Sequence, residues 1–170
     1  MKAVLIAFLF ATSSLAQNPS AFPSQACGSG DVDFKVKLDN TQHTPAQAAP
    51  GKALVYFIHE AGTSSAHPLG YPTLKVGIDG AWVGANRGDS WFAVPVEPGE
   101  HHVCAILQST VVNQRLELAH LQAEAGKAYY YRTRLVMSGQ VGLLELDPLD
   151  SDQGGYLIGS YPLSVSHPKK

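Results

Sequence analysis

The feature that most limits what this chain can fold into is a succession of short period-two segments, broken by turn residues every 8–12 positions. Val32, Phe34, Val36 and Leu38 alternate with Asp33, Lys35, Lys37 and Asp39. An extended backbone sends successive side chains to opposite faces, so this alternation marks a half-buried strand. Ala53-Leu54-Val55-Tyr56-Phe57-Ile58 is apolar at every position, as a strand covered on both sides must be. Leu74, Val76 and Ile78 lead into Asp79-Gly80, which suits the positive φ values of a type I′ hairpin, and Ala81–Ala85 returns. Further strands are expected at Trp91–Val96, His101–Gln108, Arg115–Gln122, Lys127–Val136 and Gln140–Leu146. Pro98-Gly99, Ala125-Gly126 and Ser138-Gly139 supply turns between them. No amphipathic helix separates the strands, which argues against a parallel α/β sheet. The pattern predicts an all-β fold: an antiparallel β-sandwich of about seven to nine strands, of immunoglobulin-like or Greek-key type, in one domain over residues 31–165. One short helical turn is expected at Ser151–Tyr161, and residues 166–170 read as a frayed tail.

The N-terminus has a different logic. Lys2 is followed by the apolar run Ala3–Ala11, too short to span a bilayer, and then by Ser14-Leu15-Ala16, whose small residues suit a signal peptidase. Residues 1–16 read as a secretory signal peptide cleaved after Ala16, and 17–30 as an extended Pro/Ser/Gly leader. The product is expected outside the cytoplasm, periplasmic or extracellular, with no membrane-spanning segment. An even cysteine count in an exported chain argues for a disulfide, here Cys27 to Cys104, 77 positions apart. Loss of Lys2 leaves eleven basic against fourteen acidic side chains, a net charge of −3, which gives nucleic acid no electrostatic hold.

Several motifs form a coherent set: Pro50-Gly51-Lys52-Ala53-Leu54-Val55-Tyr56, Val76-Gly77-Ile78-Asp79-Gly80 with Val83-Gly84, Val96-Glu97-Pro98-Gly99-Glu100-His101, and Ala125-Gly126-Lys127-Ala128-Tyr129-Tyr130-Tyr131. Together they resemble the bacterial domain of unknown function 2846 family, and the central segment is similar to the PEGA repeat. The resemblance implies an envelope-associated β-sandwich and carries over no catalytic residue. Many members of that family carry a lipid-anchor cysteine that this chain lacks.

Chemistry-bearing residues offer three candidate sets. On the Lys127–Val136 strand, Tyr130, Arg132 and Arg134 share one face, and with Trp82, beside the Asp-Gly turn, they form a candidate binding surface. Trp91 is a further aromatic that an exposed face could use. Seven histidines make a metal centre the alternative, from His59, His67, His101 and His102. His101 and His102 are adjacent on a strand and point to opposite faces, while His120 shares a face with Leu116 and Leu118 and reads as a core residue. Asp147, Asp150 and Asp152 before Gly154-Gly155 suggest the start of a calcium loop, but Asp150 or Ser151 as a helix N-cap explains them better. Gly-x-Ser-x-Gly does not occur. These features point to an exported, non-enzymatic binding or structural module of the bacterial cell envelope, without a cofactor, whose partner is an envelope polysaccharide or protein. The alternative is a His-dependent metal-binding protein or metal-assisted hydrolase.

Overall fold

The computed structural model of the chain describes residues 26–28, 32–61, 71–108, 116–138 and 141–170. The expected signal peptide, most of the expected leader, His67, Arg115, Gly139 and Gln140 lie outside the described residues. Among those described, the elements are β1 (Phe34–Asp39), β2 (Ala53–Glu60), β3 (Thr73–Ile78), β4 (Ala81–Arg87), β5 (Ser90–Val96), β6 (Gly99–Gln108), β7 (Leu116–Ala123), β8 (Ala128–Ser138), β9 (Val141–Leu149), α1 (Ser151–Ser160) and β10 (Leu163–Pro168). They build a six-stranded sheet, β1-β10-β5-β2-β8-β9, and a four-stranded sheet, β4-β3-β6-β7.

Strand β2 sits inside both cores. Ala53, Val55 and Phe57 pack with Val76, Ile78, Val103, Leu121 and Tyr131 between the sheets. Leu54, Tyr56 and Ile58 face the other way, against Trp91 and against Leu157 and Ile158 of α1. Each large apolar side chain so removed from water contributes roughly 1.5–3 kcal/mol. The unbroken apolar run of β2 thus has a cover on each side, a sheet and a helix.

The sandwich is all-β, as expected, but the larger sheet is mixed. Strand β8 runs parallel to β2, and β10 parallel to β5, while the remaining pairs are antiparallel. The Glu124–Lys127 turn carries the chain from one sheet to the other. It delivers the chain beside the start of β2, where Gly126 N donates to Lys52 O at 2.8 Å and Leu54 N to Lys127 O at 3.0 Å. Residues 166–170 were expected as a frayed tail, but Ser166, His167 and Pro168 belong to β10. That strand pairs with β1 from Leu163↔Asp39 to Phe34↔Pro168, and Lys169 N donates to Asp33 O at 2.7 Å.

Two sheet edges are closed by side chains of the opposite sheet. Ser164 Oγ donates to Ala85 O at 2.8 Å, and Ser166 Oγ accepts from Ala85 N at 3.0 Å, so β10 satisfies the outer edge of β4. Gln108 of β6 acts as a substitute peptide for β1, accepting from Phe34 N at 2.7 Å and donating to Phe34 O at 3.1 Å. Unpaired strand edges are templates for further pairing, and these contacts remove part of that template.

The Asp79-Gly80 turn has φ of 49° and 79°, the left-handed pair required of a type I′ hairpin. The C-terminal helix matches its expected span. Asp150 caps it, its Oδ1 accepting from Asp152 N at 3.0 Å and Gln153 N at 2.8 Å. Three glycines within ten residues make α1 a poor helix by propensity, so packing holds it in place. Gly154 permits its closest approach, since a Cβ there would lie 2.4 Å from the Tyr130 ring. Cys27 and Cys104 are disulfide-bonded with Cα atoms 5.5 Å apart, which holds Ala26 and Cys27 over Gly77.

The two adjacent glycines of α1 give opposite expectations. Tyr130 stacks on Tyr56 with ring centres 4.9 Å apart and cannot retreat from a new methyl group. Gly154→Ala is therefore expected to lower stability by about 1–3 kcal/mol despite better helix propensity. Gly155→Ala, with open space at its Cβ, should raise stability by about 0.5–1 kcal/mol. Urea unfolding of both variants checks the pair. The same assay on a Cys27→Ala/Cys104→Ala variant should show a loss of about 2–4 kcal/mol.

Candidate functional site

Parallel pairing of β8 with β2 and antiparallel pairing with β9 align three rows on the outer face of the larger sheet. The register sets Tyr56, Tyr130 and Leu149 in one row, Ile58, Arg132 and Asp147 in the next, and Glu60, Arg134 and Glu145 in the third. The first row is apolar and lies under α1. Ile58 of the second row is buried there too, and the charged residues of the last two rows form a lattice. Arg134 Nη2 is 2.8 Å from Glu145 and 3.4 Å from Asp147, while Arg132 lies 3.4 Å from Glu60 and 3.7 Å from Asp147. Two guanidiniums stand among three carboxylates, so the lattice is slightly acidic. The Nε atoms of Arg132 and Arg134 have no hydrogen-bond partner. A guanidinium has five donors in a fixed fork, and here the carboxylates occupy only some of them.

This arrangement corrects the expected surface in three ways. Tyr130 is half-buried beneath α1 and does not stand in an open stripe with the arginines. Trp82 lies on the opposite side of the sandwich, against Ala26, Cys27 and Cys104, with Lys75 Nζ 4.7 Å from its ring centre. Trp91 is buried, its Nε1 donating to Tyr161 O at 3.0 Å. What remains of the expected surface is Arg132 and Arg134, together with carboxylates that single-sequence reading did not pair with them.

The expected histidine centre does not assemble among the described residues. His59 points into the inter-sheet core, where its Nδ1 donates to Thr133 O at 2.9 Å and its Nε2 has no partner. Burial holds its pKa below the usual imidazole value, against the pull of the Thr133 carbonyl and the Asp89 and Glu60 charges. It is a neutral core histidine. Asn86 lies beside it, with Nδ2 donating to Phe57 O at 3.0 Å. His101 belongs to the other end of the β3–β4 hairpin, with Nδ1 2.5 Å from Asp79 Oδ2 and Nε2 2.7 Å from Glu97 O. Both partners only accept, so both ring nitrogens donate and the ring is an imidazolium. Burial opposes that charge, but the Asp79 carboxylate, the Glu97 carbonyl and the charges of both residues outweigh it, and His101 titrates above the usual value. His102 faces the opposite side, as strand alternation requires. His120 was expected in the core, and it is exposed there beside His102, because the Leu116–Leu118 face of β7 turns outward.

The acidic candidates separate too. Asp147 belongs to the arginine lattice, and Asp150 is the cap of α1. No helix among the described residues is long and apolar enough to cross a membrane. Comparison of the chain with protein-family models, curated proteins and solved structures finds no match in any of the three.

The lock between Asp79 and His101 has a defined pH sense. A histidine whose folded pKa is raised stabilises the fold below its unfolded value, near 6.5, and loses that contribution as pH rises through the folded value. The stability advantage of wild type over His101→Gln should therefore be largest near pH 5.5–6 and shrink above pH 7. Unfolding midpoints of both proteins across that range check it, and a difference that grows with pH would reject the imidazolium.

Proposed function

We propose that this chain is an exported, non-enzymatic binding or structural module of the bacterial cell envelope, with Arg132 and Arg134 as its contact residues. The observation that carries the reading is the β8–β9 charge lattice beyond α1. Arg134, Glu145 and Asp147 are partly exposed there, with Arg132 and Glu60 set more deeply beside them, all in fixed register. Alternating donors and acceptors on a rigid sheet suit a polymer rich in hydroxyl and carboxylate groups, because each sugar hydroxyl both donates and accepts. An envelope polysaccharide fits that chemistry, and a polar protein surface is the other partner class. The Cys27–Cys104 bond suits an oxidising compartment, in keeping with the signal-like first sixteen residues. The likeness to the domain of unknown function 2846 family and the immunoglobulin-like or Greek-key class of sandwich belong to this same reading.

Arginine and lysine separate charge from fork geometry. An Arg132→Lys/Arg134→Lys variant keeps the lattice charge and loses bidentate donation. Retention on insoluble peptidoglycan and on immobilised acidic envelope polysaccharide is expected to fall about tenfold, equivalent to roughly 1.4 kcal/mol. Wild-type retention by the double variant, with an unchanged thermal melt, would reject this face as the contact surface.

A further inference from the structure

Glu100, His102 and His120 meet on the outer face of the four-stranded sheet, away from the arginine lattice. His102 and His120 are directly opposed in the β6–β7 register. Glu100 precedes His102 by two residues and so shares its face. Directly opposed residues of an antiparallel pair hold their Cβ atoms about 4.5–5.5 Å apart, which places the two imidazoles side by side without help from any loop. Their Nε2 atoms lie 3.2 Å (His120) and 3.7 Å (His102) from the same carboxylate oxygen, Glu100 Oε1. The ring centres are 5.8 Å apart.

These are the spacings of His–Glu ion pairs, and they lie close to the separation of donors around one ion. Ligands about 2.0–2.2 Å from a tetrahedral zinc stand roughly 3.3–3.6 Å from each other. Both nitrogen–oxygen separations fall near that range. No three ligating side chains among the described residues already surround a common point. Here the carboxylate lies between the rings, and side-chain rotation must close the set. Rotation toward His102 is open to the other two, because the side chains of His120 and Glu100 are 56% and 62% exposed. The backbone beneath is fixed, since Asp79 Oδ1 accepts from His102 N at 2.8 Å and Asp79 N donates to His102 O at 2.9 Å. Neighbouring His101 is committed to Asp79 and Glu97 and does not compete.

We propose that Glu100, His102 and His120 form an exchangeable site for a late first-row divalent cation, zinc or copper(II), held by two imidazole nitrogens and one carboxylate oxygen with water completing the shell. Imidazole and carboxylate together suit these ions, whereas calcium and magnesium prefer oxygen alone. The ligand set differs from a core centre built on His59 or His101, and binding needs no rearrangement of the sheets.

Titration calorimetry of the purified protein with zinc chloride, and separately with copper(II) chloride, tests the site. One equivalent is expected to bind. His102→Ala and His120→Ala should each weaken binding about tenfold or more. Glu100→Gln should weaken it by a smaller factor, and His43→Ala, on an exposed loop remote from β6, should leave it unchanged. The copper-loaded protein should show two nitrogen ligands by electron paramagnetic resonance. Thermal melts confirm that each variant folds, which matters most for half-buried His102. Absence of binding by the wild-type protein, or wild-type affinity in either histidine variant, overturns the proposal. The arginine double variant should bind the metal normally, which separates this site from the polysaccharide reading.

Discussion

Burial of strand β2 on both faces is the constraint on which the rest of the structure depends. Six consecutive residues, Ala53–Ile58, carry no side chain that water accommodates well, so a single sheet with one wet face cannot hold them. The four-stranded sheet covers Val55 and Phe57, and α1 covers Tyr56 and Ile58. A helix with three glycines would not persist alone, and it is held in place by the surface it covers. Its limited length in turn decides where the outer face changes character. Tyr56 and Tyr130 fall beneath the helix, whereas Glu60 and Arg134, four residues further along each strand, lie beyond its cover.

The same boundary explains how much was legible beforehand. Alternation and the apolar Ala53–Ile58 run located β1 to β9, and turn and capping residues located the Asp79-Gly80 turn and the Asp150 cap, because each of these is decided by neighbours within a few positions. Strand β10 escaped notice because its alternation is inverted. Ser164 and Ser166 turn toward β4, where they satisfy Ala85, and Leu163 faces α1. A serine facing inward reads as surface until the edge that it bonds is known. The parallel pairing of β2 with β8 was likewise invisible, since alternation constrains which face a residue occupies and says nothing of which strand lies beside it.

Side-chain chemistry followed the same rule. Strand parity correctly separated His101 from His102, and the cysteine count correctly paired Cys27 with Cys104. Parity could not decide which face of β7 turns inward, so His120 was misplaced. Nor could it supply cross-strand partners. The carboxylates that flank Arg132 and Arg134, the Asp79 and Glu97 acceptors around His101, and the opposition of His102 to His120 all depend on register. Register arises from the whole sheet and has no local code.

The pairing of β1 with β10 joins residues near the two ends of the described chain, from Phe34 to Pro168. A polypeptide that emerges amino-terminus first, from a ribosome or through a narrow channel, exposes β1 long before its partner exists. The larger sheet therefore cannot be completed until the last strand is delivered, and non-local closure of this kind is slow. Such a chain keeps its larger sheet open until β10 has emerged. A truncation that removed β10 would leave β1 without a strand beside it and Ala85 of β4 without the serine hydroxyls that bond it.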